Sequence, residues 1–113
     1  MAKDIRMVRG TSRTFEIAVT DADGNAYTLR DGEKVIFGVK KNTNDEELLI
    51  CKVVSECTDG VCKVELDPED TANLAVGKYY YDVGLQTGED YYIVVELSNF
   101  AITANVTKWG DGV

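Results

Sequence analysis

An all-β antiparallel sandwich of about seven to eight short strands is the fold the sequence predicts, and three observations predict it. Short apolar or alternating runs recur at roughly 10-residue spacing, each followed by turn residues. The ten glycines are spread between these runs, and the single proline, Pro68, does not mark a linker. Helical chemistry is confined to one turn near residues 68–74. The 113 residues fit one domain, assigned to 1–113, with a basic arm and first strand at 1–13 and a short tail at 107–113.

The elements follow in order. Ile5 to Val8 is a short first strand. Arg13 to Val19 alternates, with Phe15, Ile17 and Val19 on one face and Glu16 on the other. Asp21 to Asn25 is rich in residues that tolerate tight-turn backbones, so the chain turns there and returns as a strand over Ala26 to Leu29. Asp31-Gly32 turns again, and Lys34 to Lys40 carries Val35, Phe37 and Val39 on one face. After a polar loop, Leu48 to Ser55 and Val61 to Leu66 read as a hairpin closed near Thr58-Asp59-Gly60. Asp67 suits the cap of a helical turn and Pro68 its first position. Lys78 to Gln86, Tyr91 to Leu97 and Phe100 to Val106 read as three final strands.

Alternation then selects the core: Phe15, Ile17, Val19, Phe37, Leu66, Tyr79, Tyr81, Val83, Leu85, Ile93, Val95, Phe100 and Ile102. At ~1.5–3 kcal/mol per fully buried large apolar side chain, such a set offsets the ordering entropy of a small domain.

Composition restricts function. The chain holds 12 Lys and Arg against 20 Asp and Glu, a net charge of −8, which argues against a general binder of phosphate backbones. Its apolar runs are too short to span a bilayer, and no apolar run follows Met1-Ala2-Lys3-Asp4 as a secretory signal requires. The absence of histidine removes the commonest general base and the commonest metal ligand.

The motifs that remain are structural. Asp21-x-Asp23-x-Asn25 starts like a calcium loop, but Ala26 and Gly32 stand where that loop needs glycine and glutamate, so a turn is expected. Cys51, Cys57 and Cys62 lack the spacing of a zinc site and are expected as reduced packing residues, although Cys57 and Cys62 flank one turn closely enough to oxidise. Serines without histidine and carboxylates without a motif leave no catalytic constellation. No enzyme activity, metal or cofactor is expected.

Two features exceed what a plain monomer needs. Residues 1–13 hold Lys3, Arg6, Arg9 and Arg13 against Asp4 alone, so the rest of the chain keeps 8 basic groups against 19 acidic ones. A basic arm on an acidic body suits electrostatic docking to a neighbouring copy. Tyr80 and Tyr92, directed away from the core by alternation, form with Trp109 a candidate aromatic patch for a partner.

Asp67-Pro-Glu-Asp-Thr-Ala followed by Gly77-Lys-Tyr79-Tyr-Tyr81 resembles the corner leading into strand F of immunoglobulin domains, where a tyrosine hydroxyl bonds back to the preceding backbone. Tyr79 or Tyr81 fits that role. No cysteine follows at the antibody spacing, and the only tryptophan is Trp109, so the resemblance is to the architecture and not to an immune function.

Gly32-Glu-Lys-Val-Ile-Phe-Gly-Val-Lys, Leu66-Asp-Pro-Glu-Asp-Thr, Gly77 to Gln86 and Asn105-Val-Thr-Lys-Trp-Gly-Asp together resemble a further family. They are similar to the amino-terminal domain family of the phage baseplate upper protein, from phages and prophages of Gram-positive bacteria. The resemblance implies an immunoglobulin-like sandwich in a virion tail, made in the host cytoplasm and attached to other tail or baseplate proteins or to copies of itself. It supplies no catalytic residues. Under this expectation Arg6, Arg9 and Arg13 steer docking, and Tyr80, Tyr92 and Trp109 anchor it. Nucleic acid and membrane are not expected partners. The alternative is a carbohydrate-binding module in which the same aromatic residues stack on host cell-wall glycan.

Overall fold

The computed structural model describes residues 4–105. Seven strands and one helical turn follow in order: β1 (Ile5–Val8), β2 (Arg13–Ala18), β3 (Lys34–Lys40), β4 (Ile50–Val54), β5 (Val61–Leu66), α1 (Pro68–Ala72), β6 (Gly77–Thr87) and β7 (Asp90–Thr103). A five-stranded sheet, β1-β7-β6-β3-β4, packs over a two-stranded sheet, β2-β5. This is an immunoglobulin-like sandwich with β6 as its strand F.

The core lies between the sheets, as alternation predicts for strands with one covered face. Phe37 is its hub: Phe15, Tyr81 and Phe100 have ring centroids 6.0, 5.4 and 6.2 Å from it. Of the expected core, Ile17, Val19, Phe37, Leu66, Tyr79, Tyr81, Val83, Leu85, Phe100 and Ile102 are buried, and Phe15 and Val95 pack partly buried against them. Ile93 is a correction. It is 47% exposed, because two register shifts in the β6–β7 ladder pair it with outward-facing Gly84 while Val95 pairs with inward-facing Val83.

Four further expectations change in the structure. Ala26 to Leu29 is not a strand; Thr20 and Ala26 form one isolated bridge, and the segment spends its hydrogen bonds on turns. Asp21 Oδ1 accepts the Asp23 and Asn25 N–H groups, and the Tyr27 hydroxyl and Arg30 N–H bind Glu33. The Leu48–Ser55 and Val61–Leu66 runs do not pair with each other: β4 pairs with β3, and β5 crosses to pair with β2. The Thr58–Val61 turn exists, with Asp59 and Gly60 at positive φ, but it closes only its own two-residue bridge. The last two expected strands are one continuous β7. Finally, β1 runs parallel to the end of β7, so the pairing is not antiparallel throughout.

Cys57 and Cys62 are joined by a disulfide across that turn, which corrects the reduced-thiol expectation; Cys51 is free and exposed. The helical turn forms where Asp67 and Pro68 place it, and Asp70 accepts the Asp67 N–H at 2.7 Å. Asp70 also meets Lys52 Nζ of β4 at 2.9 Å, while buried Thr71 accepts the Gly10 N–H at 2.7 Å. Both contacts fasten α1, one to the large sheet and one to the turn after β1.

Candidate functional site

The inner face of the large sheet is covered by β2 and β5. Its outer face has no second layer among the described residues. In-register partners share a face, so the ladder gives the arrangement directly. Val53, Ile36, Gly84 and Ile93 form one row across β4, β3, β6 and β7. Cys51, Gly38 and Asp82 form the next, and Lys40, Tyr80 and Asn99 the one after it. Lys78, Ala101 and Arg6 complete the face towards β1.

Two glycines shape this surface. Gly84 lies directly beneath Tyr91, whose ring and hydroxyl occupy the space a Cβ would need. Gly38 lies beneath Leu48; a Cβ there would come within 2.9 Å of Leu48 Cδ2. A glycine inside a strand marks such a close approach. Between these two overlaid side chains runs an open groove of about 370 Å³, lined by Ile36, Lys40, Glu46, Tyr80, Asp82 and Leu97 among others. Tyr91, Ile93, Leu97, Leu48 and Val53 are all large side chains about half exposed around it.

Asp82 sits on the groove floor. Burial pushes its carboxyl above the usual carboxylate range, and the Lys40 ammonium pulls it part of the way back. Burial, with the Asp82 charge adding to it, also pushes the Tyr91 phenol up. The face can therefore present apolar area, aromatic rings and one carboxylate that lacks any ion pair or hydrogen bond among the described residues.

The residues singled out from the sequence are not brought together as one patch. Tyr80 lies on the outer face, with Lys78 Nζ 5.5 Å above its ring. Tyr92 pairs with inward-facing Leu85 and lies on the opposite side, its hydroxyl 3.4 Å from Asp90. Trp109 lies outside the described residues. Arg6 is exposed on the outer face of β1, while the Arg9 N–H bonds to the Thr103 carbonyl at 2.9 Å. The Arg13 guanidinium stacks 5.1 Å from the Phe15 ring and donates to the Arg6 carbonyl at 3.0 Å, so it is engaged within its own chain.

Strict alternation misplaces Tyr91, which it puts inward with Ile93, and directs Asp82 outward without marking it as functional. Gly38 and Gly84 inside otherwise β-branched and aromatic strands were the signal that could have found them. No group of three or more potential metal-ligating side chains occurs among the described residues.

No family model and no curated protein matches the chain. Among solved structures it is similar to the N-terminal domain of phage TP901-1 ORF48. The identity is 14%, the likeness covers 94% of this chain and 86% of that one, and the TM-score is 0.47. A likeness of that strength assigns neither family nor function.

Proposed function

We propose that the chain is a non-enzymatic structural component of a phage tail or baseplate that docks to other tail proteins or to copies of itself. The observation that carries the docking role is the outer face of the large sheet. Tyr91, Ile93, Leu97, Leu48 and Val53 form an apolar surface that no described residue covers, on a sheet whose opposite face packs against the core. Contiguous exposed apolar patches rimmed by polar groups mark interaction sites. The tail setting is supported by the sequence resemblance to the baseplate upper protein's amino-terminal domain family.

Incorporation into particles tests this reading. Phage particles purified from a host carrying the gene should contain the chain, detected by mass spectrometry of intact tails. An Ile93→Asp/Leu97→Asp variant should fold and be lost from them. A chain absent from particles that instead binds host cell-wall polysaccharide would replace this reading with the glycan-binding one.

A further inference from the structure

We infer that the Asp82 groove receives Arg6 from a second copy of this chain, so that two copies meet through their outer sheet faces. The inference deepens the docking reading above and rests on it. Arg6 stands on edge strand β1, exposed on the outer face, and its guanidinium makes no ion pair or hydrogen bond among the described residues. The Arg13 guanidinium is held inside its own chain, as described above. Asp82 is the converse: a half-buried carboxylate with no hydrogen bond or ion pair among the described residues, where Lys52–Asp70 is the one salt bridge.

The two groups cannot satisfy each other within one copy. Arg6 lies in the row of Lys78, two strands and four residues from Asp82, which is about 17 Å by ordinary sheet dimensions. That exceeds what the two side chains span. Each therefore offers its charge outward.

The groove's chemistry fits a guanidinium. A carboxylate at the floor accepts paired N–H donors, and the groove is flanked by the Tyr91 ring and by Tyr80, whose ring already carries the Lys78 ammonium. Lys40, Glu46 and Asp82 line the same groove and leave it one net negative charge, with Lys40 the cation that acts on Asp82. A second copy is the occupant because the same chain carries both halves: a basic segment over residues 1–13 and an acidic remainder. Both groups lie on the outer face of one sheet, so a two-fold contact between two such faces seats Arg6 of each copy in the Asp82 groove of the other.

Charge exchange between copies tests the contact. Sedimentation velocity at low salt should show the wild-type chain self-associating, and raising the salt should weaken that association. Arg6→Asp and Asp82→Arg, each checked for native fold by circular dichroism, should each weaken self-association at least tenfold. An equimolar mixture of the two variants should restore it, because Asp at position 6 of one then meets Arg at position 82 of the other. A wild-type chain that stays monomeric to millimolar concentration overturns the second copy as occupant. Single variants that associate like wild type, or a mixture that fails to recover, overturn the Arg6–Asp82 contact. A monomeric chain that is still incorporated into particles would sink this inference and leave the tail reading standing; a self-associating chain absent from particles would do the reverse.

Discussion

The Tyr79 hydroxyl donates to the Ala75 carbonyl at 2.7 Å, four residues back along the chain. The bond closes the corner between α1 and β6. It also gives a buried phenol the partner it needs, since Tyr79 is otherwise enclosed in the core with Lys41 Nζ 4.6 Å from its ring. Tyr79→Phe keeps the ring and removes only the donor. Because Ala75 is exposed and water can reach its carbonyl, the expected cost is about 1 kcal/mol in urea unfolding. No change in the denaturation midpoint would mean that the corner holds without the bond.

Thr71 makes the second tether of this region. Thr71→Val preserves shape but leaves the Gly10 N–H without its acceptor, at an expected cost of about 1–3 kcal/mol. Hydrogen exchange at the Gly10 amide should accelerate in the same variant. Destabilisation without faster exchange there would place the effect in packing alone.

Gly84 and Tyr91 are coupled by contact. Gly84→Ala should destabilise the fold, since the added methyl displaces the Tyr91 ring. In the Gly84→Ala/Tyr91→Ala double variant most of that penalty should vanish. Additive effects in the double-mutant cycle would contradict the overlay.

Asp82 has the opposite pH behaviour to a paired carboxylate. Its folded value is raised by burial, so the folded state binds the proton more tightly than the unfolded chain does. Its destabilising contribution is therefore present above the folded value and disappears as pH falls to the unfolded value, about 3.9. Asp82→Asn should be more stable than wild type at neutral pH, with the gap closing in acid. A gap that widens in acid would contradict the burial argument.

Most of the fold was legible in the sequence because inward alternation in β2, β3, β5 and β6 is unbroken. The Asp67-Pro68 start of α1 and the Tyr79 corner are local chemistry and formed where expected. What failed was non-local. Nothing in Leu48–Ser55 or Val61–Leu66 says that β4 and β5 belong to different sheets, β4 pairing back onto the preceding β3 and β5 onto the distant β2. The two irregularities of β7 were equally hidden: they leave the Tyr91–Val95 run apolar throughout, so periodicity could not say that Ile93 and Tyr91 face out while Tyr92 faces in. The candidate site suffered most from this: among the described residues, the expected Tyr80 and Arg6 fall on the outer face, while Tyr92 does not.

Cys51 allows the central claim to be measured without a mutation. It is the free cysteine of the chain, exposed, and placed in the middle row of the outer face beside Gly38. The measurement is its rate of modification by a small thiol reagent in the isolated domain and in intact purified particles, normalised to the unfolded chain. If the outer face is the docking surface, the isolated domain reacts readily and the assembled chain at least tenfold more slowly. Equal rates in the two states would show that this face stays open to solvent after assembly, and docking would have to lie elsewhere.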